Sequence, residues 1–143
     1  MIMETKNKGF DTGIASEYLV LSMLYRLGVD AYMTLGNKKS VDIWIKNDDD
    51  FAIEIDVKSV RECDSIPVGN VEAKDNRYIV FVIYNKKFDF KDVPTLPEFY
   101  IVPSKYVVEN RTKNDLKSGG ERFNIFKKDI KDYINRWDLL KKR

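Results

Sequence analysis

The sequence predicts an α/β fold in which a mixed central β-sheet is flanked by helices, and three stretches carry that expectation. Residues 13–27 place apolar side chains at helical spacing. Residues 40–46 and 51–59 alternate apolar and polar positions, the pattern of half-buried strands. Tyr78 to Tyr84 is an unbroken apolar run, as expected of a central strand covered on both faces.

The remaining elements follow in order. Residues 1–10 read as a polar, flexible arm. Asp11-Thr-Gly13 offers cap chemistry for a helix from Gly13 to Leu27, and Gly28 ends it. Val29 to Leu35 reads as a first strand, Gly36-Asn-Lys-Lys39 as a turn, and Val41 to Lys46 as the second strand. Asn47-Asp-Asp-Asp50 suits a hairpin turn before the third strand, Phe51 to Ser59. These three strands form an antiparallel meander. Residues 60–77 carry no clear period, with a short helical turn expected near Val71 to Lys74. After the Tyr78 to Tyr84 strand, residues 86–97 are a loop and Glu98 to Val102 another strand. Ser104 is placed to cap a short helix, residues 110–120 are a polar loop, and Phe123 to Phe126 reads as a last edge strand. Asp129 caps a closing helix over 129–142, whose stripe of Ile130, Tyr133, Ile134, Trp137 and Leu140 packs on the core. The whole of 1–143 reads as one domain.

Composition narrows the chemistry. A hydrophobic fraction of 43% and a charged fraction of 34% describe a soluble globular protein. No apolar run reaches the length of a membrane span, and the N-terminus lacks a signal-peptide layout, so the expected location is cytoplasmic. Cys63 is the one cysteine, which excludes an internal disulfide and a cysteine zinc cluster. Histidine is absent, which removes Ser-His-Asp triads and His-ligated zinc. Any metal must be held by carboxylates, carbonyls and water, a donor set suited to Mg²⁺, with Mn²⁺ as a substitute. A net charge of +2 does not by itself announce a nucleic-acid binder. Lys6, Lys8, Lys38 and Lys39 are the candidate nucleic-acid contacts, in the arm and the first turn, and the C-terminal segment is basic.

The chemistry-bearing pattern lies in the alternating strands. In the third, Phe51, Ile53, Ile55 and Val57 point one way, and Glu54, Asp56 and Lys58 the other. Charges on a strand face need a partner, solvent or a task. Asp42 lies one strand earlier, opposite in direction to Val41 and Ile43. Glu17 falls between Leu21 and Leu24 on the helical wheel, on the face that also holds Ile14, an awkward position for a purely solvated carboxylate. Glu54 is either a further ligand or the solvated end of the row. Taken singly, Asp42 is an ordinary edge-strand charge, and Asp56 with Lys58 an ordinary ion pair. Together, two carboxylates able to hold a divalent metal with a lysine beside them are a minimal kit for cutting a phosphodiester.

Gly13-Ile-Ala-Ser-Glu17, Val41-Asp42-Ile43 and Ile55-Asp56-Val57-Lys58 resemble the PD-(D/E)xK nuclease superfamily. The order and spacing look most like the small archaeal Holliday-junction resolvases and related bacterial members. The resemblance covers roughly residues 8–60 and implies a restriction-endonuclease-like core. It implies that Asp42 and Asp56 ligate Mg²⁺ with the Val57 backbone carbonyl, that Glu17 binds through water, and that Lys58 assists the attacking water and the scissile phosphate. Val41 stands where the motif's nominal proline would be. No large target-recognition domain is evident, which disfavours a sequence-specific restriction enzyme. The expected function is therefore a metal-dependent endonuclease acting on DNA, branched or structured DNA included. The alternative is a non-catalytic nucleic-acid- or protein-binding module that keeps the fold. A homodimer would suit the cutting of two strands.

Overall fold

The computed structural model describes residues 8–34, 41–46, 52–62 and 64–141. The arm up to residue 7, the turn at 36–39, the hairpin turn at 47–50 and Cys63 lie outside the described residues, as do Lys6, Lys38, Lys39 and the side chain of Lys8.

The first helix, α1, runs Lys8–Leu27 and starts five residues earlier than its sequence suggests. Asp11 therefore sits inside the first turn, where its charge favours the helix dipole, and does not act as the cap. The C-terminal end is as expected. Gly28 adopts φ +90°, its N–H donates to the Tyr25 carbonyl at 3.1 Å, and the Val29 N–H reaches back to Leu24 at 3.2 Å. This arrangement satisfies carbonyls that the last turn leaves open.

Five strands form the main sheet: β1 (Asp30–Met33), β2 (Ile43–Lys46), β3 (Ala52–Val60), β5 (Arg77–Ile83) and β6 (Glu98–Pro103), in the spatial order β1-β2-β3-β5-β6. β1, β2 and β3 are the antiparallel meander. β3 and β5 are parallel, and β5 and β6 antiparallel, so the sheet is mixed. β5 is buried along its whole length. On one face α1 contributes Val20 and Leu24 to a core with Ile43, Ile55, Val80 and Phe99. On the other, Ile79, Phe81 and Val102 pack with Ile66, Val107 and Ile125.

The second face is covered by elements the sequence did not announce. The β3-to-β5 crossover carries the short β4 (Ser65–Pro67) and not a helical turn at 71–74. Residues 110–120, expected as a loop, contain β7 (Thr112–Asp115), which pairs with β8 (Glu121–Phe126). β8 is the middle strand of a small sheet ordered β4-β8-β7, not an edge. In α2 (Ser104–Asn110) the Ser104 hydroxyl makes no cap; it accepts the Lys74 N–H and donates to the Lys74 carbonyl, both at 2.9 Å, tying the crossover down.

The closing helix over 129–142 does not form. Three short 3₁₀ turns, Lys127–Asp129, Lys131–Tyr133 and Trp137–Leu140, take its place. Asn135 interrupts them at φ +54°. Its N–H donates to the Phe99 carbonyl at 2.8 Å, and Ile134 bridges to Tyr100, so the segment wraps around the β6 edge. The supposed stripe is divided: Ile130 joins the core of the second face, while Leu140 and Trp137 join that of the α1 face. Among the described residues no helix is long and apolar enough to cross a membrane.

Candidate active site

β2 and β3 pair only as far as Ile43 and Ile55, whereas β3 continues beside β5 to Val60. At that divergence the Asp42 N–H donates to the Ile55 carbonyl at 2.8 Å. The Asp42 carboxylate then accepts the Val57 N–H at 2.7 Å, standing in for the next rung of the ladder. Because backbone groups alternate along a strand, the Val57 carbonyl faces the same side as that of Ile55, toward Asp42.

Asp56 lies beside Ile79 and Lys58 beside Phe81, so both side chains emerge on the face away from α1. Lys58 Nζ is 3.3 Å from Asp56 Oδ2, with the carboxylate side chain 15% and the lysine 30% exposed. Glu17 approaches from the α1 side, where the most buried ridge is Thr12, Ser16, Val20 and Leu24. It is half-buried at the border of that ridge, and Ile14, expected to share its face, is largely exposed. Asp42 stands between the two sides: it lies within hydrogen-bonding reach of Asp56, and its charge acts on Glu17.

The electrostatics follow from this crowding. Burial is the main cause that pushes the Asp56 carboxyl up to about 7; Asp42 pushes in the same direction and Lys58 opposes both. Glu17 is raised by burial and then by the Asp42 charge. Carboxylates that repel one another in a partly desolvated place favour protons or a cation.

The donor set fits a hard divalent ion. Among the described residues no group of three acidic, cysteine or histidine side chains converges to enclose a metal. Asp42 and Asp56, with the Val57 carbonyl on the Asp42 side, are the groups that could hold such an ion in an open arrangement. Mg²⁺ binds in such places with one or two carboxylates and keeps several of its waters.

No family model matches the chain, and no curated protein matches it. Among solved structures, the bacterial homing endonuclease I-Ssp6803I is similar over 90% of this chain and 88% of its own, at 13% identity and a TM-score of 0.58. The fold is a restriction-endonuclease-like α/β core.

Within that core Glu54 is not part of the site. It is only 8% exposed and receives two hydrogen bonds from Arg77, at 2.9 and 2.5 Å, with Lys74 at 3.5 Å. The charge at the start of the β3 row is thus a buried ion pair that fastens β3 to β5. Lys127, counted with the basic C-terminus, pairs with Glu98 at 2.9 Å. Two contacts near the site were not legible in the sequence. Arg61 follows β3 and donates from Nε to Thr12 Oγ1 at 2.7 Å. Tyr84 hydrogen-bonds Ser16 at 2.9 Å under α1, one residue from Glu17. No local pattern marks either contact, because the partners lie 49 and 68 residues apart.

Proposed function

We propose that the chain is a metal-dependent endonuclease of the PD-(D/E)xK type that hydrolyses phosphodiesters in DNA, branched or structured DNA included. One observation carries the reading: the Asp42 carboxylate, seated on the Val57 N–H, is held beside Asp56, whose other neighbour is Lys58. A simple surface ion pair would not require a second carboxylate fixed against the first.

In this reading Asp42, Asp56 and the Val57 carbonyl hold Mg²⁺, and Glu17 binds through water. The ion supplies polarisation of a phosphoryl oxygen and lowers the pKa of bound water. Lys58 presents its ammonium where negative charge accumulates on the scissile phosphate, and it helps to orient the attacking water. Asp42 keeps Asp56 and the Val57 carbonyl in one orientation, because its carboxylate is anchored to the backbone that carries both. The similar structure is that of a homing endonuclease, which supports the same class of activity here.

A non-catalytic nucleic-acid- or protein-binding module is the second reading, favoured by the lack of a closed three-acid cluster among the described residues. A cleavage panel separates the two. Linear, supercoiled, single-stranded and four-way-junction DNA are incubated with Mg²⁺ or Mn²⁺ and the wild type, Asp56→Asn or Lys58→Ala. Cutting by the wild type alone supports the nuclease. No cutting, or cutting that survives both substitutions, supports the binding module.

A further inference from the structure

β3 has no β2 strand partner beyond Ile55, and once Asp42 has taken the Val57 N–H its outer edge is open among the described residues. That edge leads away from Asp56 and Lys58 to a cavity of about 330 Å³ lined by Gly9 and Thr12 of α1, residues 59–62 and Ser65. By the same backbone alternation that turns Val57 toward Asp42, the N–H and carbonyl of Ser59 face this open side. The cavity thus lies further along the same strand, on its α1 side and around the open edge from Asp56 and Lys58, roughly 13 Å from Val57 to Arg61 at the usual rise per residue.

Arg61 gives the cavity its charge. Its guanidinium lies 3.9 Å from the Phe88 ring centroid, and its Nε is fixed by the Thr12 hydroxyl. These two contacts set the plane of the fork without neutralising it. The balancing carboxylate is Asp89, at 3.7 Å and with a side chain 90% exposed, a loose pair of small energetic weight. The acidic residue at the rim, Glu62, pairs at 4.0 Å with Lys86. A guanidinium oriented by neutral contacts, with a displaceable counter-charge and serine and threonine hydroxyls around it, suits a tetrahedral oxyanion that takes two parallel hydrogen bonds.

We propose that the Thr12–Ser59–Arg61 cavity is a second phosphate subsite, in which Arg61 binds a phosphodiester within two nucleotides of the scissile one on the same strand. This rests on the nuclease reading above. The subsite fixes the position of the strand, so that Lys58 and Asp56 meet one particular phosphate.

The test measures DNA binding by fluorescence anisotropy without divalent metal, across a salt series, on the substrate best cut in the panel above. Arg61→Ala is expected to weaken binding about 10-fold and to reduce the salt slope by about one. Arg61→Lys restores the salt slope but not the full affinity, because it keeps charge and loses the fork. Asp89→Asn, a change at an exposed site, tightens binding. A scan of neutral methylphosphonate linkages on wild-type protein needs no variant to fold. One position within two nucleotides of the cut should reproduce the Arg61→Ala loss, and Arg61→Ala should be indifferent to that linkage. If the wild type cuts while Arg61→Ala binds as tightly as wild type and no such linkage matters, the subsite is refuted and the nuclease stands. If the wild type neither binds nor cuts any substrate, both fall.

Discussion

Asp42 acts on β3 as a surrogate backbone: its carboxylate accepts the Val57 N–H at 2.7 Å where β2 has already left the strand. A residue proposed to bind metal thereby also completes the sheet. Asparagine can preserve the second duty and not the first, since its carbonyl accepts the N–H without charge. Asp42→Asn should fold normally and lose at least roughly 100-fold in cleavage, as removal of a charge-stabilising group does. Asp42→Ala should add a stability loss of about 1–2 kcal/mol from the unsatisfied N–H, read by urea denaturation. Equal stability of the two variants would dissociate the carboxylate from the sheet.

Asp56 sets a pH dependence. Its folded-state value of about 7 lies above the usual 3.8, so the metal-free native state holds this proton more tightly than the unfolded chain. The resulting stabilisation is complete below about pH 4 and disappears as pH rises through 7. In EDTA, the melting temperature of the wild type relative to Asp56→Asn should fall steadily across that window. Mg²⁺ should raise the wild-type value at pH 7–8 and leave Asp56→Asn nearly unmoved. A difference that stays flat with pH removes the raised carboxyl from the account.

Glu54 and Arg77 should behave as structure, not chemistry. Breaking one side of a buried pair costs about 3–5 kcal/mol, because a charge is left without its partner. Glu54→Ala should therefore lower the denaturation midpoint sharply. Its cleavage rate, measured on the folded fraction at low temperature, should stay within a few-fold of wild type. A selective loss of activity with stability retained would return Glu54 to the site.

The divided C-terminal segment gives a fourth expectation. Leu140 is 1% exposed in the α1-side core, whereas Ile134 is 41% exposed at the β6 edge. Leu140→Ala should cost about 2–5 kcal/mol and Ile134→Ala well under half of that. A continuous amphipathic helix would make the two losses similar, so thermal melts of the pair decide between the arrangements.

Local chemistry made much of this molecule legible. The apolar run at Tyr78 to Tyr84 reads as a covered strand, and Gly28 after an apolar helical period reads as a helix end; both are so in the structure. Strand alternation and helical spacing singled out Glu17, Asp42, Asp56 and Lys58 as charges on faces that require a partner, and the structure sets Asp42 beside Asp56 and Asp56 beside Lys58. What escaped notice depends on long-range partners. Glu54 looked like its neighbour Asp56 until Arg77, 23 residues on, claimed it. Thr112–Asp115 is exposed at every position, so β7 shows no alternation to read. Ile130, Trp137 and Leu140 do have helical spacing, yet each side of the sheet takes some of them, and the backbone bends to serve both.

The wrap of residues 134–135 over β6 has a consequence for biosynthesis. Until those residues have been made, β6 presents a row of uncovered hydrogen-bonding groups beside a fully buried neighbour, the kind of strand border that recruits other chains. The interval between making residue 103 and making residue 140 is therefore the window in which the nascent protein is most prone to aggregate. Residues 134–140 close that window by acting as a built-in guard for the sheet they complete.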